Sequence, residues 1–228
     1  MARILVVDDD PDITFAVSQV ARFNHNPKQS HAQAVKMIIR YLQRTKDMGT
    51  IVKPTGTLLL DCYVDADFAG LYRRDPDSSP TSAKSRLGFI ITLGGAPLIW
   101  KSQLLSEISL STQEVEYSCL SQSIRTLLPL RSLLIEVTDA LGIDQALRAT
   151  VHARVFEDNQ GAFLLATKQR ITNRTKYYLV KWHHFWGHVN DGTVEVLKVS
   201  THLQRADGLT KGLVREVFEK IRKLNQGW

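Results

Sequence analysis

Apolar residues recur at helical spacing through the first part of the chain. Ile13, Val17, Val20 and Ala21, then Ala34, Val35, Ile38, Ile39 and Leu42, fall three or four apart, with Asn24-His25-Asn26-Pro27 between the two runs. Two helices are predicted between Pro11 and Lys53. Lys53-Pro54-Thr55-Gly56 then punctuates the chain, and Leu58 to Val64 is a mainly apolar run of strand length that opens a new domain. A polar loop from Arg73 to Ser85 leads to Leu87–Leu93, which Gly94-Gly95 turns back into Pro97–Trp100, a hairpin pattern. From Thr112 to about Leu141 the spacing is helical again, with Pro129 as a kink and Gly142 as a stop. Val151–Phe156 alternates as a strand, Gln160–Lys168 and Arg174–Val189 read as helices, Val194–Val199 is a last strand, and a helical stretch ends the chain. The order strand, strand, strand, helix, strand, helix, helix, strand, helix predicts a mixed α/β layer fold.

Composition narrows the class. With 43% hydrophobic residues, 7 Pro and 13 Gly in 228 residues, long disorder and fibrous architectures are excluded. No stretch reaches the roughly 18 apolar residues of a membrane span, and the first residues lack the order of a secretory signal, so an intracellular protein is expected. Cys62 and Cys119 are too few for a disulfide framework and read as small core residues. The net charge of +6 is uneven. Arg3 against Asp8, Asp9, Asp10 and Asp12 gives the first twelve residues −3, which leaves +9 for the rest. Between Lys168 and Asn190 there is no acid, and Lys168, Arg170, Arg174, Lys176 and Lys181 alternate with Tyr177, Tyr178, Trp182, Phe185 and Trp186. That mixture suits a polyanion carrying bases or sugars; it equally suits a solvated helix whose aromatic residues point inward.

Within this layout four acids stand where a core does not need them. Asp65, with Asp67 close by, follows the first strand, Glu116 lies in the first turns of the long helix, Asp158 ends the fourth strand, and Asp207 begins the terminal stretch. If strands 1 and 4 are adjacent and parallel, all four converge. Clustered carboxylates repel unless divalent cations offset them, and Mg²⁺ suits carboxylates plus phosphate. Two such ions about 4 Å apart can hold the attacking and leaving oxygens of a phosphodiester.

These residues carry a family resemblance. Tyr63-Val64-Asp65-Ala66-Asp67-Phe68-Ala69-Gly70, the hairpin from Lys84 to Ser102, Leu110-Ser111-Thr112-Gln113-Glu114-Val115-Glu116-Tyr117, Glu157-Asp158-Asn159-Gln160-Gly161-Ala162 and Gln204-Arg205-Ala206-Asp207-Gly208-Leu209-Thr210-Lys211 occur in that order. Together they resemble the ribonuclease H domain of copia-type LTR retrotransposon polyproteins. Pro11–Phe23 and Ile39–Thr45 are similar to the piece that joins reverse transcriptase to that domain. The resemblance covers roughly residues 11–213 and implies a helical connection remnant over 11–53 and a ribonuclease H-like domain over 56–213; an atypical acidic leader over 1–10 and a helical tail over 214–228 flank it. Its implied fold is a five-stranded mixed sheet flanked by helices. Its implied chemistry is metal-dependent endonucleolytic hydrolysis of RNA paired to DNA, with Asp65, Glu116, Asp158 and Asp207 holding two Mg²⁺, or Mn²⁺, ions. The implied partners are an RNA–DNA hybrid and a reverse transcriptase body, and the implied location is a cytoplasmic virus-like particle or the nucleus.

Polymerase activity is not expected, since a Tyr-x-Asp-Asp motif is missing. Tyr177 and Leu179 stand where the family usually has His and Asp. Lys84, Arg86, Lys101, Arg174, Lys176 and Lys181 are candidate phosphate contacts, and His202 is a candidate auxiliary group near Asp207. His184 and His188 have the spacing of a helical zinc pair, but no third ligand accompanies them. Two rival readings stand beside this one. Ile4 to Asp12 resembles the acidic pocket of a response-regulator receiver, with Asp61 as its phosphoacceptor, although the turn and Lys-Pro pair of that family are missing. The other rival is a non-catalytic nucleic-acid-binding remnant of the ribonuclease H-like fold.

Overall fold

The computed structural model describes residues 10–52, 59–74, 79, 81–143, 153–169, 171–173 and 175–228. Strands β1 (Leu60–Asp67), β2 (Arg86–Leu93) and β3 (Ala96–Leu104) pair antiparallel, while β4 (Ala153–Glu157) and β5 (Val194–Lys198) continue the sheet in parallel. The spatial order is β3-β2-β1-β4-β5, a mixed five-stranded sheet as the resemblance implied. Gly94 and Gly95 both take positive φ, 56° and 88°, the conformation a tight hairpin turn requires and a side chain resists. Alternation then sorts β1 and β2. Cys62, Val64, Ala66, Leu87, Phe89 and Ile91 enter the main core, whereas Tyr63 and Ile90 join Trp100, Ala206 and Leu209 in a smaller cluster.

The main core is closed by α3 (Thr112–Ala140), which lays Val115, Cys119, Ile124 and Leu127 on the sheet and continues past Pro129 without ending. Next come α4 (Gln160–Lys168), α5 (Lys176–Trp182) and α6 (Trp186–Asn190). The single helix expected over Arg174–Val189 is broken by a 3-10 turn at His183–Phe185. That turn seats fully buried Phe185 against Tyr117, 5.4 Å between ring centroids, which a continuous helix would rotate away. The terminal stretch is likewise two helices, α7 (Asp207–Thr210) and α8 (Arg215–Gln226). On the second face of the sheet α7 presses so close that a Cβ on Gly88 would lie 2.7 Å from Thr210 and 2.8 Å from Leu209. No helix among the described residues is long and apolar enough to cross a membrane.

Helices α1 (Thr14–Ala21) and α2 (Gln29–Thr45) pack through Ile13, Val17, Val20 and Ile38. They are tied to the domain at two places. Arg86, expected as a phosphate contact, is only 2% exposed; its guanidinium donates to Ser18 (2.7 Å), Ser102 (2.9 Å) and Gln19 (3.3 Å) and lies over the Phe15 ring. It is therefore the dock for α1 and not a surface cation. Burial, with Arg22 nearby, lowers its pKa to about 10. At the second place Asp12 accepts from Tyr41, Asp10 accepts from Gln226, and Ile51 N donates to the Gln226 carbonyl at 2.8 Å. Asp10, at the edge of the expected leader, is thus part of the folded body. Arg86→Met is expected to cost ~2–3 kcal/mol in urea unfolding, the scale of lost charged hydrogen bonds with partners left buried, and to open residues 14–45 to limited proteolysis.

Candidate active site

Each acid is positioned by its own local device. Asp65 lies inside β1, which runs two residues past the acid instead of stopping before it, and it pairs in register with Gly88. A charged residue near a strand end reads as a boundary, but here the strand carries it to the rim of the sheet. Glu116 is set by the start of α3: Ser111 caps the helix by accepting from Glu114 N at 3.2 Å, and Glu114 Oε2 accepts from Leu110 N at 2.8 Å. This capping pair fixes the helix phase that turns Glu116 inward. Asp158 follows β4 in a turn held by Glu157, whose Oε1 accepts from Asn159 N at 2.9 Å, and by Asn159, which caps α4 through Gly161 N and Ala162 N. Thr201 donates to Asp158 Oδ2 at 3.0 Å. Buried Gln204 donates to the Val64 carbonyl at 2.8 Å and so pins the segment that delivers Asp207.

Asp65, Glu116 and Asp158 converge: one carboxylate oxygen from each lies within 4.8 Å of the other two. Asp65 and Glu116 are 3% and 5% exposed, and Glu116 Oε2 is buried with no hydrogen-bond partner. Asp207 sits one step outside this trio. Its Oδ1 pairs with Lys211 at 3.0 Å, Lys211 reaches Asp65 at 3.7 Å, and Thr210 donates to Asp65. Burial, with Asp207 and Asp158 adding repulsion, pushes Asp65 up to about 6 against the pull of Lys211. Burial followed by repulsion from Glu157, Asp65 and Asp158 pushes Glu116 up to about 11. Glu157, fully buried beneath them, is held far above the carboxylate range, again chiefly by burial. Groups that pay this electrostatic cost while one oxygen goes unpartnered form an all-oxygen anionic donor set, which fits a hard divalent cation.

No family model matches the chain. Over 211 residues, 92% of its length, it is 35% identical to the retrovirus-related Pol polyprotein from transposon RE1 of Arabidopsis thaliana. Over 215 residues, 94% of its length, it is 35% identical to the retrovirus-related Pol polyprotein from transposon TNT 1-94 of Nicotiana tabacum. The chain belongs to the copia-type Pol polyproteins. It spans only 13% and 15% of the length of those two relatives. Among solved structures, LC11-RNase H1, isolated from compost, is 18% identical with a TM-score of 0.45, covering 72% of this chain and 98% of that one. At that score the likeness adds nothing to the strand order.

The other expected site residues of this Pol segment scatter. Lys101 is exposed on β3, Lys176 is exposed at the start of α5, Lys84 is half-buried, and His202 is exposed beside Thr201. Arg174 and the side chain of Lys181 lie outside the described residues. Of the interleaved aromatic residues, Tyr178 and Phe185 are core, while exposed Tyr177 donates to Glu114 Oε2 at 2.9 Å. Asp61, the acceptor a receiver would use, is bound bidentately by Arg154 at 2.7 and 2.8 Å.

Glu157, Thr210 and Lys211 stand inside the family motifs, but the sequence assigns them no role. The signal for the last two is their spacing, three and four residues after Asp207. Lys211→Met is expected to lower the thermal midpoint in EDTA by the equivalent of ~1 kcal/mol, since the lysine is partly solvent-screened, and a divalent cation is expected to restore most of it.

Proposed function

We propose that this chain is the ribonuclease H segment of a Pol polyprotein and that it hydrolyses the RNA strand of RNA–DNA hybrids with Mg²⁺, or Mn²⁺, as cofactor. The observation that carries the reading is the convergence of Asp65, Glu116 and Asp158 from three separate elements, with a buried Glu116 oxygen left for an ion. Asp65, Glu116 and Asp158 would hold the metal, with Asp207 joining them once Lys211 gives way. Bound divalent ions supply Lewis-acid polarisation of the phosphodiester and activation of water.

The chain's own residues do the rest. Glu157 and Thr201 hold the turn that aims Asp158, the α3 cap fixes Glu116, and Lys211 balances Asp65 and Asp207 until the site is loaded. Recognition rests on backbone phosphates and 2′-hydroxyls, because a hybrid's deep major groove hides its bases, so sequence preference should be weak. The test is the purified chain with a labelled RNA strand annealed to DNA, in Mg²⁺ and in EDTA. Cleavage of the RNA strand only with metal, leaving 3′-hydroxyl and 5′-phosphate ends, is the expected result; tight hybrid binding with no cleavage would leave a binding module instead.

A further inference from the structure

Beside the edge strand, on the α3 side of the sheet, lies an open pocket of about 350 Å³ lined by Lys101, Ser106, Gln122, Arg125 and Thr126. Its chemistry is one-sided. Two cations, two hydroxyls and an amide line it, with no carboxylate. Among the described residues neither Lys101 nor Arg125 is in an ion pair. Gln122, Arg125 and Thr126 share one face of α3 at spacings of three and four, and Lys101 stands across from them on β3. Two unneutralised cations facing one cleft repel each other, and an anion between them removes that cost. The same charge is felt nearby, where Arg125, after burial, helps hold His184 below the ordinary imidazole value.

We propose that this pocket is a phosphate-binding subsite, distinct from the carboxylate cluster, that grips a backbone phosphate of the bound nucleic acid. It deepens the nuclease reading and rests on it for the identity of the ligand. Arg125 is nine residues beyond Glu116 on α3, roughly 13 Å along the helix. That is about four base steps of a strand; nine residues are also two and a half turns, so Arg125 faces away from the side that carries Glu116, toward the cleft it shares with Lys101 at the strand edge. Ser106, Gln122 and Thr126 supply hydrogen-bond capacity around the two charges, the arrangement that binds phosphate without reading a base.

The test is anisotropy of a fluorescein-labelled RNA–DNA hybrid in EDTA, titrated with the full chain over a range of KCl concentrations. Lys101→Ala/Arg125→Ala is expected to weaken binding roughly tenfold at low salt and to reduce the slope of log affinity against log salt by about one. Lys220→Ala, an exposed cation on α8, is expected to leave the slope unchanged. In Mg²⁺ the double variant is expected to raise KM while keeping kcat. Wild-type affinity and slope in a folded double variant would overturn the subsite. If the wild type cuts hybrid and the double variant binds it normally, the subsite falls and the nuclease reading stands. If the wild type binds hybrid without cutting it and the slope still drops, the nuclease reading falls and the subsite stands.

Discussion

Asp158→Asn is expected to reduce Mg²⁺-dependent cleavage of an RNA–DNA hybrid by ~10³-fold or more, about 4 kcal/mol of transition-state stabilisation. The amide keeps the size of the side chain and can still accept from Thr201, so the turn after β4 should hold. What it loses is a charge. That same charge repels Asp65 and Glu116, so its removal should make the protein more stable in EDTA even as activity disappears. Opposite movements of rate and stability separate a metal ligand from a structural residue, whose loss would lower both. The rate is read by gel assay and the stability by thermal unfolding in EDTA; cleavage within tenfold of wild type would sink the assignment. Glu116→Gln should behave alike, with a larger stability gain because Glu116 is the more strained carboxyl.

Without metal, stability is expected to fall as pH rises. Asp65 is ordinarily acidic at 3.8 and at about 6 in the folded protein. Between those values the folded state keeps a proton that the unfolded state has released, so each step upward favours unfolding. The full shift is worth ~3 kcal/mol, present below the lower value and lost by the upper one. Glu116, moved from 4.5 to about 11, extends the decline through neutral pH. His184 works in the other direction, because its folded pKa lies below the ordinary value, but it is a single group with modest burial. Divalent cations should invert the profile, since they bind only the ionised carboxyls and so gain affinity as pH rises. Urea unfolding between about pH 5 and pH 8, in EDTA and in Mg²⁺, checks both limbs. A metal-free stability that climbs over that interval would contradict the electrostatic picture of the site.

Much of this architecture is legible in the sequence because period and punctuation agree. The apolar run Leu87–Leu93 and the Gly94-Gly95 turn mark β2 and the start of β3 without any tertiary information, and the helical spacing after Thr112 marks α3. The acids are findable because they fall at strand ends and helix starts, where a core does not need them, and inside motifs that occur in the family's order. What stayed hidden depends on distant partners. Arg86 looks like a surface cation until Ser18 and Gln19, 68 and 67 residues away, fold over it. The break at His183–Phe185 is invisible in the periodicity because it exists to place one ring against Tyr117. Asp207 lies near the trio but is paired by Lys211, a balance that spacing alone does not weigh.

The clasp between Asp10 and Gln226 joins residues 216 apart. Closing so long a loop costs chain entropy that local contacts do not, so the sheet and α3 can consolidate without the clasp while α1 and α2 depend on it. A substitution at Gln226 would therefore be felt far away in the sequence, in the fastening of the first two helices.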